Sequence, residues 1–237
     1  MVKRIYNAIK NRIFPPVKYD FNKANPLGGN GERVDIQLSE QLNFDNLDVY
    51  QRNHIKRYEF AKKHIIEGNT CADWACGTGY GSVLLASKAS IVKGADINAE
   101  IINKIQERYK NIENVLFETA NLLDLTYYNL FDHIISFETI EHFKESDIPL
   151  LLAIFNKALK DEGKIIFSTP YMQEKSEDAI KLGFHLTFYI DENKINNWLN
   201  AAGFELEGFY YQNYQTHHVL EEIDKKEFIL CIAKKKQ

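Results

Sequence analysis

The chain predicts an α/β protein with a doubly wound, mostly parallel sheet, and three observations carry that expectation. From Thr70 onward, short apolar runs alternate with helical or loop stretches. The first run is followed by a turn with three glycines in five residues, Gly77, Gly79 and Gly81. The chain closes on two apolar runs, "FELEGFYYQ" and "EFILCIAKK", with no strong helix between them. Alternating strand and helix units build a parallel sheet, because a parallel neighbour needs a long crossover. Two consecutive terminal strands add an antiparallel hairpin at one edge.

The elements follow in order. "MVKRIYNAIKNRIFPPVKYD" carries five basic residues before Asp20, with Ile5, Ile9 and Ile13 at helical spacing. It reads as a helix ended by Pro15 and Pro16 that packs on its own domain or on a neighbouring subunit. An anionic membrane surface is the alternative contact. "NPLGGNGER" is rich in turn formers and reads as a mobile loop. These segments make residues 1–46 an N-terminal basic helix with a lid loop, and residues 47–237 the main domain. A helix is expected from an N-cap at Asp48 to Gly68. The strands are expected in "CADWA", "IVKGAD", "NVLFET", "HIISF" and "KIIFSTP". Ser146 or Asp147 can cap "IPLLLAIFNKALK", with Pro149 in its first turn. "DENKINNWLNAAGF" is a further helix stopped by Gly203, and the closing lysines 234–236 read as a solvated tail.

Composition narrows the function classes. The 237 residues suffice for one α/β domain and hardly for two; 45% are hydrophobic and 26% charged, as in soluble globular proteins. A net charge of −4 encodes no general pull toward nucleic acid. Cys71, Cys76 and Cys231 form no CxxC pair, which fits reduced thiols. No apolar run approaches the roughly 18 residues of a membrane span, and no signal-peptide core is present, so the expected location is the cytoplasm.

The glycines lie where open parallel sheets bind ligands, beyond the carboxyl ends of the strands. A tight turn without a ligand would use the same residues, so spacing must narrow the choice. The dinucleotide pattern GxGxxG is broken, with Ser82 where its third glycine belongs, and no GK[ST] follows. Asp73, four residues before the first glycine, repels phosphate and attracts an ammonium group directly or through water. Asp96, at the end of the second strand, can accept both hydroxyls of a ribose. The pocket therefore asks for a ribose and an amine, and not for a pyrophosphate.

Together, "DWACGTGYG", "GADI" and "FDHIISFETIEHF" resemble the class I S-adenosylmethionine (SAM)-dependent methyltransferases, over about residues 57–204. The resemblance implies a Rossmann-like sheet of seven strands with the last one antiparallel, and SAM as cofactor with S-adenosylhomocysteine as product. It places Gly77 and Gly79 beside the methionine part of SAM, Asp96 on the ribose, and Asn121 and Leu122 against the adenine. Ala75, Thr78, Tyr80, Ile97 and Phe137 join the cofactor set with their strand ends. Arg57 is expected to reach the cofactor carboxylate and Tyr58 to cover the methyl end. Relatives often carry Asp at the position of Asn121, whose carbonyl can still meet the adenine amino group. Trp74 stands where relatives have an aliphatic residue, and nothing in the sequence explains it.

Methyl transfer to a hydroxyl needs alignment and a base. On a helical turn, Glu138 would face Glu141 and His142 at i+3 and i+4, as a base held by a carboxylate or as a divalent metal site. A related branch of quinone-pathway O-methyltransferases is similar here and is thought to bind metal. Ordinary packing and capping also fit two acids and a histidine, and the metal-free version is the expectation. Phe184-His185-Leu186 resembles a segment of bacterial methyltransferases of sugar and surface-polysaccharide pathways, which makes His185 a second base candidate. "YYQNYQTHHVLEE" points Tyr210, Tyr211, Tyr214, His217 and His218 toward the same rim. The expected protein is thus a SAM-dependent O-methyltransferase of a sugar or nucleotide-linked sugar, either monomeric or oligomeric. A quinone-type phenol or natural product as acceptor, and a non-catalytic partner subunit, are the alternatives. An NAD-dependent oxidoreductase is disfavoured by the glycine spacing. Nucleic-acid methylation is disfavoured by "SFET" where an NPPY-like motif would stand.

Overall fold

A computed structural model describes residues 33–38, 44–177, 180 and 183–236. The expected N-terminal helix and most of the glycine-rich loop lie outside them. Helix α1, Val49–His64, begins at Asp48 with a reciprocal capping box, since Asp48 accepts from Gln51 N and Gln51 accepts from Asp48 N. It stops at Ile65, in extended conformation, three residues short of the expected Gly68.

Strand β1 (Thr70–Trp74), helix α2 (Tyr80–Ala86), strand β2 (Ile91–Asp96), helix α3 (Ala99–Arg108) and strand β3 (Val115–Thr119) follow as βα units. The chain continues through β4 (Phe131–Phe137), α4 (Ile148–Ala158), β5 (Leu159–Pro170), α5 (Glu192–Ala201), β6 (Phe204–Gln212) and β7 (Phe228–Lys235). The sheet has seven strands in the order β3-β2-β1-β4-β5-β7-β6. Strands β1 to β5 are parallel, and β7 runs antiparallel between β5 and β6. This is the expected doubly wound sheet with an antiparallel C-terminal strand. Strand order reverses between β1 and β4, which opens a crevice at their carboxyl ends.

Alternation along β1 divides the core. Ala72 and Trp74 enter the cluster under α4 and α5, and Cys71 joins the cluster under α1 and α2. The unexplained Trp74 is fully buried there, 4.6 Å from Phe155 and stacked on Tyr127 at 6.4 Å between ring centres. Its role is packing.

Two local expectations differ. Strand β5 starts at Leu159, five residues before "KIIFSTP", because a bulge lets Leu159 pair with Phe131 before Lys164 pairs with His133. The terminal lysines are not a free tail. Lys234 and Lys235 are part of β7, with Lys234 paired to Glu162 and Lys235 donating to Leu159 O. Among the described residues, no helix is long and apolar enough to cross a membrane, and the three cysteines are buried and free.

Candidate active site

Two adjoining cavities open at the carboxyl ends of β1, β2 and β4. The first, of about 390 Å³, has the glycine turn on one wall and Asp96, Ile97, Asn121 and Leu122 on another. The second, of about 410 Å³, lies toward β5 and β7. Val34, His54, Glu138, His142 and Phe184 line both, so the cavities meet at these residues.

The three glycines of the turn serve three different purposes. Gly77 has φ +52° and nothing within 4 Å of where a Cβ would stand, so its bare backbone faces open cavity. Gly79 has φ +76°, and a Cβ there would touch the Phe117 ring at 2.8 Å; it does not line the cavity. At Gly81 a Cβ would fall 2.0 Å from the ring of Tyr58. The third glycine therefore makes room for a side chain of the protein itself.

Tyr58 in turn explains Asp73. Both are buried; the Tyr58 hydroxyl donates to Asp73 Oδ1 at 3.0 Å and the Ser82 hydroxyl to Oδ2 at 2.6 Å. Asp73 lies behind the cavity wall, and this departs from the expectation of a carboxylate meeting an ammonium group, since two hydroxyls already occupy it. Burial pushes its pKa up to about 6; the two hydroxyls oppose that shift and Asp96 adds to it.

Asp96 does face the first cavity. Its Oδ2 accepts from Gly77 N at 3.0 Å and its Oδ1 from Asn98 N at 2.9 Å, so it ties the glycine turn to the end of β2. Each oxygen keeps a second lone pair for a ligand hydroxyl. Ala75, Thr78, Tyr80 and Phe137 also line this cavity, as does Tyr58. Asn121 uses its carbonyl to cap Leu123 N at 3.2 Å and its amide to reach Asp124, leaving one lone pair for a ligand.

Arg57 departs from its expected place. It is 1% exposed and lines only the second cavity. Its Nε donates to Gln212 at 2.8 Å, its guanidinium lies 3.2 Å from Glu138 Oε1, and it stacks 4.1 Å over Phe228. A guanidinium so engaged holds α1 to the ends of β4, β6 and β7.

The turn after β4 departs as well. Glu138 has φ +51° and Thr139 is non-helical, so no continuous helical turn sets Glu138 over Glu141 and His142. Glu138 instead accepts from Ser168 Oγ at 2.7 Å and pairs with Arg57. Only Ile140–His142 form a 3-10 turn. His185 comes to the same turn, its ring centre 5.0 Å from that of His142. One donor atom each of Glu141, His142 and His185 lies within 4.8 Å of the others. The segment carrying His185 is pinned there, because Leu186 N and Thr187 N both donate to Glu141 O, at 2.7 and 3.1 Å.

His142 Nδ1 donates to Phe184 O at 2.9 Å and His185 Nδ1 to Gln173 Oε1 at 2.7 Å. Burial, with the nearby His142, lowers the His185 pKa to about 4, so its ring is neutral near pH 7. Burial and then the charge of Glu138 push Glu141 well above the ordinary carboxylate range. Of the expected rim residues of the last hairpin, only Tyr214 lines the second cavity. Tyr210 packs on Phe60, Tyr211 donates to Glu192, and His217 bonds Asn53, while His218 lines neither cavity.

His54 was missed by sequence reasoning. It lines both cavities, bonds the Tyr80 hydroxyl at 2.8 Å, and burial holds its pKa well below the usual value. Its spacing of four from Tyr58, one helical turn, was the available signal. Arg33 and Val34 were also missed; they cross the first cavity, where Thr78 donates to Val34 O at 3.0 Å.

The sheet order and a crevice with a bare glycine turn and an acid at the end of β2 define the class I fold of SAM-dependent methyltransferases. A family model described as "Methyltransferase domain" matches residues 65–203, and the chain belongs to that family. A probable S-adenosylmethionine-dependent methyltransferase of Mycolicibacterium smegmatis is 27% identical over 180 residues, 75% of this chain. The match spans 65% of that relative's length. Among solved structures, the YcgJ protein of Bacillus subtilis matches at TM-score 0.62 and 15% identity, over 78% of this chain and 100% of that one. A Haloferax volcanii methyltransferase complex with the Trm112 activator matches at TM-score 0.67 and 16% identity, covering 79% of this chain and 91% of that one. At such identities the structures attest the fold alone.

Proposed function

We propose that this protein transfers the methyl group of SAM to an oxygen of a small polyhydroxylated acceptor, a sugar or nucleotide-linked sugar of a cytoplasmic surface-polysaccharide pathway. One observation carries the reading: a second cavity of cofactor-like size meets the first at His142 and Glu138. Its wall mixes aromatic faces, Tyr50, Tyr171 and Tyr214, with polar Gln173 and Lys226. Aromatic faces with hydrogen-bonding edges suit the apolar faces and hydroxyls of a sugar ring.

SAM lies in the first cavity in this reading. Gly77 and its neighbours border the methionine part, Asp96 holds the ribose hydroxyls, and Leu122 and Ile97 flank the adenine. Bound SAM supplies an electrophilic methyl group. An acceptor oxygen would take that methyl group, the sulfur leaving with the electron pair of the carbon–sulfur bond. The hydroxyl proton leaves to, or through, the His142–His185 pair, whose outer nitrogens stay free because each Nδ1 is a donor. Residues 1–46 serve as a lid segment in the same reading and residues 47–237 as the methyltransferase domain.

Calorimetry with SAM, S-adenosylhomocysteine and NAD tests the cofactor, and a screen of nucleotide sugars for methyl uptake tests the acceptor. SAM and its product should bind and NAD should not. Asp96→Ala should weaken binding by about 1–3 kcal/mol, the loss of hydrogen bonds to a charged group. Binding of NAD without SAM would overturn the cofactor reading, and methylation of a quinone-type phenol but of no sugar would overturn the acceptor.

A further inference from the structure

Glu141 is 1% exposed, and neither of its carboxylate oxygens has a hydrogen-bond partner; the nearby Thr169 hydroxyl misses bonding geometry and is itself unpaired. A buried carboxylate with four idle lone pairs is costly unless something cationic meets it. The nearby charges, Arg57 and Glu138, are paired with each other, and the side chains that converge on Glu141 are two imidazoles, those of His142 and His185. Neither brings a proton toward it. Phe184 O only accepts, so His142 carries its hydrogen on Nδ1, and with Gln173 presenting Oε1 the same holds for His185. The nitrogens left over, Nε2 of both rings, offer lone pairs. With Glu141 ionised the trio offers three electron-pair donors, one atom of each residue lying within 4.8 Å of the others, and each histidine is oriented through its Nδ1 as metal-binding histidines are.

We propose that Glu141, His142 and His185 bind one divalent transition-metal ion of the zinc or cobalt class at the junction of the two cavities. The spacing allows it. Donors no more than 4.8 Å apart leave a centre at most about 2.8 Å from each. Movements of about 0.7 Å then give metal–ligand distances of about 2.0–2.2 Å. The donor set selects the ion. Two neutral imidazoles and one carboxylate suit borderline cations, whereas magnesium and calcium want oxygen ligands. Glu138 is not a ligand, because Ser168 and Arg57 hold its carboxylate. All three ligands line the second cavity, where the remaining coordination positions can take oxygens of an acceptor. Metal binding stands on the geometry alone. Only a part in the reaction rests on the methyltransferase reading; there the ion, occupying the outer nitrogens of both rings, would replace the histidine pair as base by lowering the pKa of an acceptor hydroxyl.

The test is equilibrium binding of Zn²⁺, Co²⁺ and Mg²⁺ to the full chain after chelation, with no substrate present. One zinc or cobalt ion per chain should bind at least a hundredfold tighter than magnesium, and the cobalt form should show visible d–d bands. Glu141→Gln and His185→Ala should each weaken zinc binding at least tenfold, and Gln173→Ala by about tenfold through the freed ring of His185. Glu138→Gln, which removes a nearby charge and no ligand, should change zinc affinity less than threefold. Binding of S-adenosylhomocysteine by each variant reports that it is folded, and the wild-type cobalt spectrum stands if a variant is not. Absence of a stoichiometric ion, or magnesium binding as tight as zinc, would overturn the site. So would loss of the ion in Glu138→Gln with its retention in His185→Ala. None of these results touches SAM binding, so the two readings fail separately.

Discussion

Asp73 sits at the end of β1 with both carboxylate oxygens taken by Tyr58 and Ser82, and its burial has a pH signature. Its pKa rises to about 6 in the folded protein, from about 3.9 when unfolded. Between those values the native state binds the extra proton. Stability must therefore fall as pH rises from about 4 to 6, by about 3 kcal/mol for this group. Asp73→Asn keeps the shape, accepts from Tyr58 and donates to the Ser82 oxygen. Urea denaturation at several pH values should show the variant gaining on wild type across that window, with a constant difference above it. A pH-independent difference would refute the buried carboxylate. The same neighbourhood shows what a sequence motif can and cannot say. The glycines were legible as a strand-to-helix turn, but their purposes were not. Gly77 faces the cavity, while Gly81 yields to a tyrosine 23 positions earlier, a contact that no local pattern encodes.

The helical and strand elements that obey a period were legible almost to the residue. The N-cap at Asp48, the strand before the glycine turn, the strand that opens at Val115 and the terminal pair follow from local rules. What failed depended on contacts between distant elements. Arg57 reads locally as one more cation on an amphipathic helix. Its partner Gln212 is 155 positions away, brought close because β6 and β7 return beside β5. The grouping of Glu138 over Glu141 and His142 failed likewise, while the meeting of His142 with His185 went unread. The i+3 and i+4 rule holds only on an unbroken helix, and a positive φ at Glu138 breaks it. The bond from Leu186 N to Glu141 O then sets the trio that no spacing announces. Arg57→Met tests the element-scale reading. Removing one member of a buried pair, which also leaves Gln212 without its donor, should cost about 3 kcal/mol in denaturant titration. SAM affinity should change less than fivefold. A hundredfold loss of affinity at unchanged stability would restore the contact with the cofactor carboxylate.

At the scale of the whole molecule, the first cavity is closed by residues that come from before the domain's first strand. Arg33 lies 3.9 Å from Asp96, and Val34 receives the Thr78 hydroxyl. Asp35, fully buried, takes two bonds from Arg108 at the end of α3, at 2.6 and 3.1 Å, and Gln51 of α1 donates to its carbonyl. This strap is fastened to both sides of the glycine turn, to α1 and to α3, so the first cavity is completed by a segment outside the βα repeat. A ligand that binds only the fastened state must stabilise the whole fold by mass action. At a hundred times its Kd, S-adenosylhomocysteine should add about 2.7 kcal/mol. For a domain of this size that is a rise in Tm of about 5–11 °C by scanning calorimetry. Asp35→Asn weakens the clasp on Arg108 without touching the cavity lining, to which Asp35 does not contribute. The variant should bind S-adenosylhomocysteine about five- to tenfold more weakly, because part of the binding energy now refastens the strap. The Tm rise at a fixed ligand concentration should shrink in proportion, by about 1 kcal/mol of linkage. Undiminished affinity in a variant that melts earlier would mean that Asp35 and Arg108 serve the fold alone, and that the strap takes no part in holding the cofactor.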